Sequence, residues 1–182
     1  MNKIPTMYER DWEGDRSRVT SDIHPGCEWV IAGEGRATRK YDGTCVMFDG
    51  TEWWARREVK EGKAAPAGFQ PSEHDDETGK TVGWEPISQS PFAKFHAEAI
   101  SHTDEWIPGT YELCGPKVQG NPEGYTSHVV VEHSSADTVE VANRDYPGIE
   151  DALRENSIEG IVFHHPDGRM AKIKARDYGI KR

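Results

Sequence analysis

Cysteine is scarce: Cys27, Cys45 and Cys114 are the three in 182 residues, and no two of them form a CxxC pair. That excludes a disulfide-built fold and a cysteine zinc site, and reads as reduced thiols in a cytosolic protein. Hydrophobic residues are few, 35% of the chain, with a mean hydropathy of −0.81. No apolar run approaches the roughly 18 residues of a membrane helix, and the opening fifteen residues lack the apolar segment of a secretory signal. Positive charge is outnumbered, 22 Lys and Arg against 32 Asp and Glu, for a net charge of −10. Taken alone, that balance argues against a nucleic-acid partner.

The charges are not spread evenly, however. Acids crowd at 73–77, 104–105 and 150–159, and bases at 36–40, 56–63 and 172–182. A fold that gathers the basic stretches would set a positive groove on an acidic body. The length fits a single domain over residues 1–182, expected as a monomer.

Along the chain, the first 28 residues have no clear period. Glu28-Trp29-Val30-Ile31 reads as a short strand ended by Gly33 and Gly35. Two β-rich runs at 44–48 and 51–56 flank Asp49-Gly50, a pair suited to a two-residue type I′ hairpin that sets Phe48 opposite Thr51. Residues 60–90 show no period and recurrent Gly and Pro, which reads as a long, functional loop. Ser90-Pro91 is an N-cap signal for a helix to about His102, with Phe92, Phe95, His96 and Ala99 inward. Strands follow at 110–114 and 128–133, then a helix over 148–156 with Ile149, Ala152 and Leu153 inward, and strands at 160–164 and 170–175. The sum is an antiparallel-rich α+β domain.

Four short segments carry chemistry. The first is Arg39-Lys40-Tyr41-Asp42-Gly43-Thr44. A lysine amine attacks phosphorus only when neutral, which nearby cations or burial favour. By itself the string is weak, since about 4% of chains this long hold a Lys-x-Asp-Gly by chance. The second, Tyr111-Glu112-Leu113-Cys114-Gly115, places an acid on a strand flanked by apolar residues, where it needs a partner such as a ribose hydroxyl, a metal or an arginine. The third, Glu159-Gly160-Ile161-Val162-Phe163, sets an acid at the head of an apolar strand. In the fourth, Met170–Arg176, period two gathers Lys172, Lys174 and Arg176 on one face, an anion cradle.

In this order and spacing, the four segments resemble motifs I, III, IV and V of the covalent nucleotidyltransferases, the superfamily of ATP-dependent polynucleotide ligases and mRNA capping enzymes. The resemblance covers about residues 34–178. It is nearest to the small RNA ligase group that includes the vertebrate 5′–3′ RNA ligase. The shared stretches are Arg56-Arg57-Glu58-Val59-Lys60-Glu61-Gly62-Lys63, Gly83-Trp84-Glu85-Pro86, and Glu112-Leu113-Cys114-Gly115-Pro116-Lys117-Val118-Gln119-Gly120-Asn121-Pro122.

The resemblance implies a ligase adenylation-domain fold and an RNA ligase using ATP with Mg²⁺ or Mn²⁺. Lys40 would carry AMP, and Lys172 and Lys174 would hold the α-phosphate. Glu112 would hold the ribose and is a second metal candidate, Glu159 would hold the metal, and His133 stands where an adenine-stacking group is common. Arg56 or Arg57 would bind the ribose or 5′-phosphate: the resemblance favours Arg56, while strand parity sets Arg57 on the face of Lys40, Asp42 and Thr44. Its partners would be RNA 5′-phosphate and 3′-hydroxyl ends.

Two departures from the pattern bear on the substrate. Thr44-Cys45-Val46 stands where many DNA ligases carry arginine, and the chain stops three residues after Gly179, without an OB-fold domain. The second shifts the expectation from a DNA ligase towards an RNA ligase and leaves room for a separate nucleic-acid-binding partner. The rival readings are a DNA ligase, a GTP-using capping-type enzyme, an inactive nucleotide- or RNA-binding module, and an enzyme that adenylates another protein.

Overall fold

The computed structural model describes residues 3–76, 78–102 and 105–181. Glu77, Asp104 and Arg182, counted above in the charged stretches, lie outside the described residues. The elements run β1 Tyr8–Arg10, β2 Val19–Ile23, α1 Glu28–Ile31, β3 Arg36–Lys40 and β4 Thr44–Phe48. Next come β5 Trp53–Val59, β6 Gln70–Asp75, β7 Lys80–Pro86, α2 Ala93–Ala99 and β8 Gly109–Cys114. The chain ends with β9 Val129–Glu132, α3 Tyr146–Asn156, β10 Gly160–His164 and β11 Met170–Lys174. This is a mixed α+β protein with mostly antiparallel sheets and few helices. Among the described residues no helix is long and apolar enough to cross a membrane.

The chain divides into two compact units, one of Ile4–Tyr41 with Ala136–Arg182, the other of Met1–Lys3 with Asp42–Ser135. In the first, a three-stranded antiparallel sheet runs β11-β10-β3, beside a β1-β2 hairpin. Alternation gives this sheet two unlike faces. Ala37, Ile161, Phe163, Ala171 and Ile173 share the buried one and pack with Trp29, Val30, Ile149 and Leu153. Each large apolar side chain there contributes about 1.5–3 kcal/mol. Both outer edges of the sheet are covered. Met7 N–H bonds the Lys172 carbonyl on one side at 2.9 Å, and Arg39 N–H bonds the Asp137 carbonyl on the other at 2.7 Å. Helix α3 starts at the N-cap Asp145, whose carboxylate accepts from Gly148 N–H, and buries the expected Ile149, Ala152 and Leu153.

The second unit is a six-stranded antiparallel sheet in the order β6-β7-β5-β4-β8-β9. Val46, Tyr111 and Leu113 pack with Phe92, Phe95 and Ala99, so the face of α2 read from the sequence is the one that docks.

Four expectations are corrected. Glu28–Ile31 is one helical turn, not a strand; so short an apolar run carries no period to separate the two. The 44–56 hairpin pairs Phe48 with Trp53, so its loop is residues 49–52, two longer than the type I′ turn expected. The cause is the Asp49 carboxylate, which accepts from the N–H groups of Thr51 and Glu52, both at 2.8 Å, and from Trp54 Nε1. Residues 60–90 are not one long loop, because β6 and β7 extend the sheet there. Being polar and containing Pro71, β6 gave no alternating signal, as suits an edge strand. Finally, the last strand stops at Lys174 and Arg176 turns away within a 3-10 turn, so the cationic strand face is Lys172 and Lys174.

Candidate active site

Strand register assembles the first cluster. Lys40 and Lys174 are both paired to Gly160, one on each side of β10. Thr38 and Lys172 flank Val162 one step along on the same face. The row needs a glycine at its centre: a Cβ on Gly160 would lie 2.3 Å from the Ile173 carbonyl oxygen. Glu159, immediately before, turns its carboxylate between the two ammonium groups. Oε2 accepts from Lys40 Nζ, and Oε1 accepts from Lys174 Nζ at 2.6 Å. Lys40 Nζ also donates to the Tyr41 carbonyl at 3.3 Å. Burial alone would raise the Glu159 pKa, but the charges of Lys40 and then Lys174 outweigh it and hold the carboxyl below its ordinary value. Side-chain exposures of 21%, 12% and 19% for Lys40, Glu159 and Lys174 leave the trio within reach of a ligand.

The end of β3 is fixed by groups the sequence did not announce. Tyr41 is buried and donates its hydroxyl to Asp137 Oδ2 at 2.7 Å. The Arg39 guanidinium lies over its ring, 4.8 Å from the centroid. Nothing in the spacing of Arg39, Tyr41 and Asp137 marks this, since Asp137 approaches from far along the chain.

In the six-stranded unit, Glu112 is buried on β8 and bonded at both oxygens. Oε1 accepts from Gly43 N–H at 3.1 Å, and Oε2 lies 3.0 Å from His133 Nε2. His133 Nδ1 is 3.0 Å from the Thr110 hydroxyl. With Nε2 protonated, the ring donates to the carboxylate and Nδ1 accepts from Thr110. Both ring nitrogens are therefore engaged in orienting Glu112, a role the sequence did not suggest. Asp42 N–H donates to Glu123 Oε1 at 3.0 Å, so two carboxylates hold two consecutive peptide groups. Gly43 is required here as well, because a Cβ would lie 2.2 Å from the Leu113 carbonyl oxygen.

Register separates the two arginines. Val46 pairs with both Ala55 and Tyr111, so the next residues, Arg56 and Glu112, share the opposite face. Arg56 lies over the Trp84 ring at 5.1 Å, and burial lowers its pKa. Arg57 falls on the other face and reaches Glu85 at 3.9 Å. The parity argument for Arg57 fails because Lys40 and Thr44 belong to different sheets, and alternation does not carry through the turn at 41–43.

Of the residues singled out, Lys40, Glu159 and Lys174 form one bonded cluster with Lys172 on the same face. Glu112 and His133 form another, with Arg56 on the Glu112 face. At the end of β10, His164 bonds Thr38, and the next residue, His165, bonds Glu34. Among the described residues no three His, Cys, Asp or Glu side chains converge to hold a metal ion. A groove of about 570 Å³, lined by Trp53, Ile87, His96 and Ile100, lies in the six-stranded unit and contains none of the candidates.

No protein-family profile matches the chain. Among curated proteins it is similar to RNA ligase 1 of Rattus norvegicus, at 24% identity over 161 residues. The match takes in 70% of this chain and 47% of the relative, so the chain spans about half that protein's length.

Proposed function

We propose that this protein is an ATP-dependent RNA ligase of the covalent nucleotidyltransferase type, with Lys40 as the residue that carries AMP. The observation that carries the reading is the Glu159 carboxylate joined to Lys40 and Lys174 across Gly160. It sets a candidate nucleophile and a second cation on one strand row. The likeness to a protein named RNA ligase 1 supports the substrate class.

In the first step Lys40 Nζ bonds to the α-phosphorus of ATP, the bond from that phosphorus to the bridging oxygen breaks, and pyrophosphate leaves. The amine sheds a proton to solvent before the N–P bond forms, and Glu159, bonded to Nζ, orients it. Lys174 and Lys172 would hold the α-phosphate oxygens as charge develops on them. Glu112, oriented by His133, would accept from a ribose hydroxyl, and Arg56 would meet the ribose or the 5′-phosphate. AMP then passes from nitrogen to an RNA 5′-phosphate. A 3′-hydroxyl displaces it in turn, forming the phosphodiester.

Glu159 is the residue that would hold Mg²⁺ or Mn²⁺. Both Glu159 oxygens are bonded to ammonium groups in this structure, so Glu159 would take the ion only once ATP phosphates drew Lys40 and Lys174 away, with the other ligands coming from phosphate oxygens and water. Such an ion would supply further charge neutralisation at the phosphates.

Labelled ATP and denaturing electrophoresis test the reading. The wild-type chain is expected to retain label and Lys40→Ala to lose it, at least a hundredfold. Lys40→Arg is not expected to recover, because guanidinium stays protonated. A labelled band that persists in Lys40→Ala contradicts the assignment. Competition by GTP in place of ATP would move the protein to the capping-type reading, and joining of nicked DNA in preference to RNA ends would make it a DNA ligase. Bound ATP without an adduct would make it a binding module.

A further inference from the structure

Between β8 and β9 the chain makes a connection of fourteen residues, 115–128, far longer than a hairpin needs. It is nonetheless wound tight. Val118 N–H bonds Gly115 O, Asn121 N–H bonds Val118 O and Gly124 N–H bonds Asn121 O, at 3.0, 2.8 and 3.1 Å. Val118 is fully buried in the apolar core of its unit. The Asn121 side chain bonds Tyr125 twice, donating to its carbonyl and accepting from its N–H, both at 3.0 Å. At the far end, Lys117 N–H donates to Nε2 of the buried His128, and Nδ1 of that ring is 2.9 Å from the Glu98 carboxylate. Gln119 and Asn121 hold positive φ angles of 49° and 59°, conformations that cost energy and persist only where surrounding bonds impose them.

The wound segment presents Glu123, whose Oε1 accepts from Asp42 N–H, next to the Gly43 N–H that Glu112 accepts. We infer that Glu123 is a positioning residue for the adenylation step: it fixes the peptide of Asp42, two residues after Lys40 in the chain. This rests on the ligase reading above. The two acids divide the task. Glu112 is shared between Gly43 and His133, and on that reading a ribose hydroxyl as well. Glu123 holds the neighbouring peptide group from a separately anchored segment, so the turn keeps a fixed point while Glu112 takes up nucleotide. A small displacement of a reacting group costs rate more than it costs binding.

The test compares Glu123→Ala with Glu123→Gln, whose amide oxygen can accept the same bond. Adduct formation is followed across ATP concentrations, with melting temperature measured in parallel. Glu123→Ala is expected to lose on the order of tenfold to a hundredfold in maximal adenylation rate, with the half-saturating ATP concentration within about twofold of wild type. Glu123→Gln is expected to recover most of the rate. A wild-type rate in Glu123→Ala overturns the inference, as does a loss confined to half-saturation, which would assign Glu123 to nucleotide binding. Equal losses in both variants with lowered melting temperatures would assign it to folding alone and overturn it too. A wild-type chain that forms no adduct with ATP removes the ligase reading and this inference together, whereas wild-type labelling with an unimpaired alanine variant removes the inference alone.

Discussion

In the three-stranded unit charge is placed by strand register, and in the six-stranded unit by side chains reaching from loops. Lys40 and Lys174 come together because each is paired to Gly160, and Glu159 needs only to precede that glycine in the chain. Glu112 has a strand position too, yet its orientation comes from His133 after β9, Thr110 beside it and the peptide of Gly43. The first arrangement is held by backbone pairing and an apolar face. The second depends on side-chain bonds that single substitutions can release without disturbing the sheet.

The largest expected effect strikes the register directly. Gly160→Val drives a branched side chain into the Ile173 carbonyl oxygen, 2.3 Å from where its Cβ would sit. It is expected to cost about 3 kcal/mol or more, read by urea unfolding of the whole chain. A loss under about 1 kcal/mol would mean the row at Gly160 can yield, and the contrast between the units would weaken.

Acid separates the units next. His96 in α2 is buried, and burial pushes its pKa down to about 4 from an ordinary 6.5. A base whose folded pKa is depressed takes its proton first in the unfolded state. The six-stranded unit therefore keeps full stability above about pH 6.5 and loses it as pH falls through about 4, by roughly 2–3 kcal/mol in total. Glu159 is also held below its ordinary value, near 4.5, so its contribution is present above that pH and lost only below it. Glu159→Gln is expected to cost about 1–2 kcal/mol at neutral pH, a difference that vanishes in strong acid. Amide exchange resolved by residue, followed from pH 7 down to pH 3, should show α2 loosening before β10. The reverse order would contradict the comparison.

The smallest effects separate Arg56 from Arg57. Arg56→Ala is expected to slow adduct formation severalfold, and Arg57→Ala to leave it within about twofold, because only Arg56 shares the Glu112 face. Equal slowing would return Arg57 to consideration.

The same division governs what could be read in the sequence. The β10 strand, the lysine pair on β11 and the inward face of α3 were legible, because period two and period 3.6 report on a buried face directly. The order Lys40, Glu112, Glu159, Lys174 was legible as a pattern, and the first, third and fourth proved to be bonded neighbours. The rest had no local signal. Asp49 fixed a longer hairpin loop through its side chain, which the favourable Asp-Gly pair concealed. Strand β6 is an edge strand built of Gln, Pro, Ser, Glu, His and Asp, and pairs through backbone groups that composition does not report. His133 with Glu112, and Glu123 with Asp42, are contacts between segments more than twenty residues apart, invisible to any window reading.

Peptide mapping of the protein after incubation with ATP and Mg²⁺ tests the central claim most directly. The account predicts that the mass of one AMP is added to the peptide containing Lys40, and that Glu159→Gln and Lys174→Met reduce its yield. AMP on any other lysine, or none on the intact wild-type chain, would contradict it.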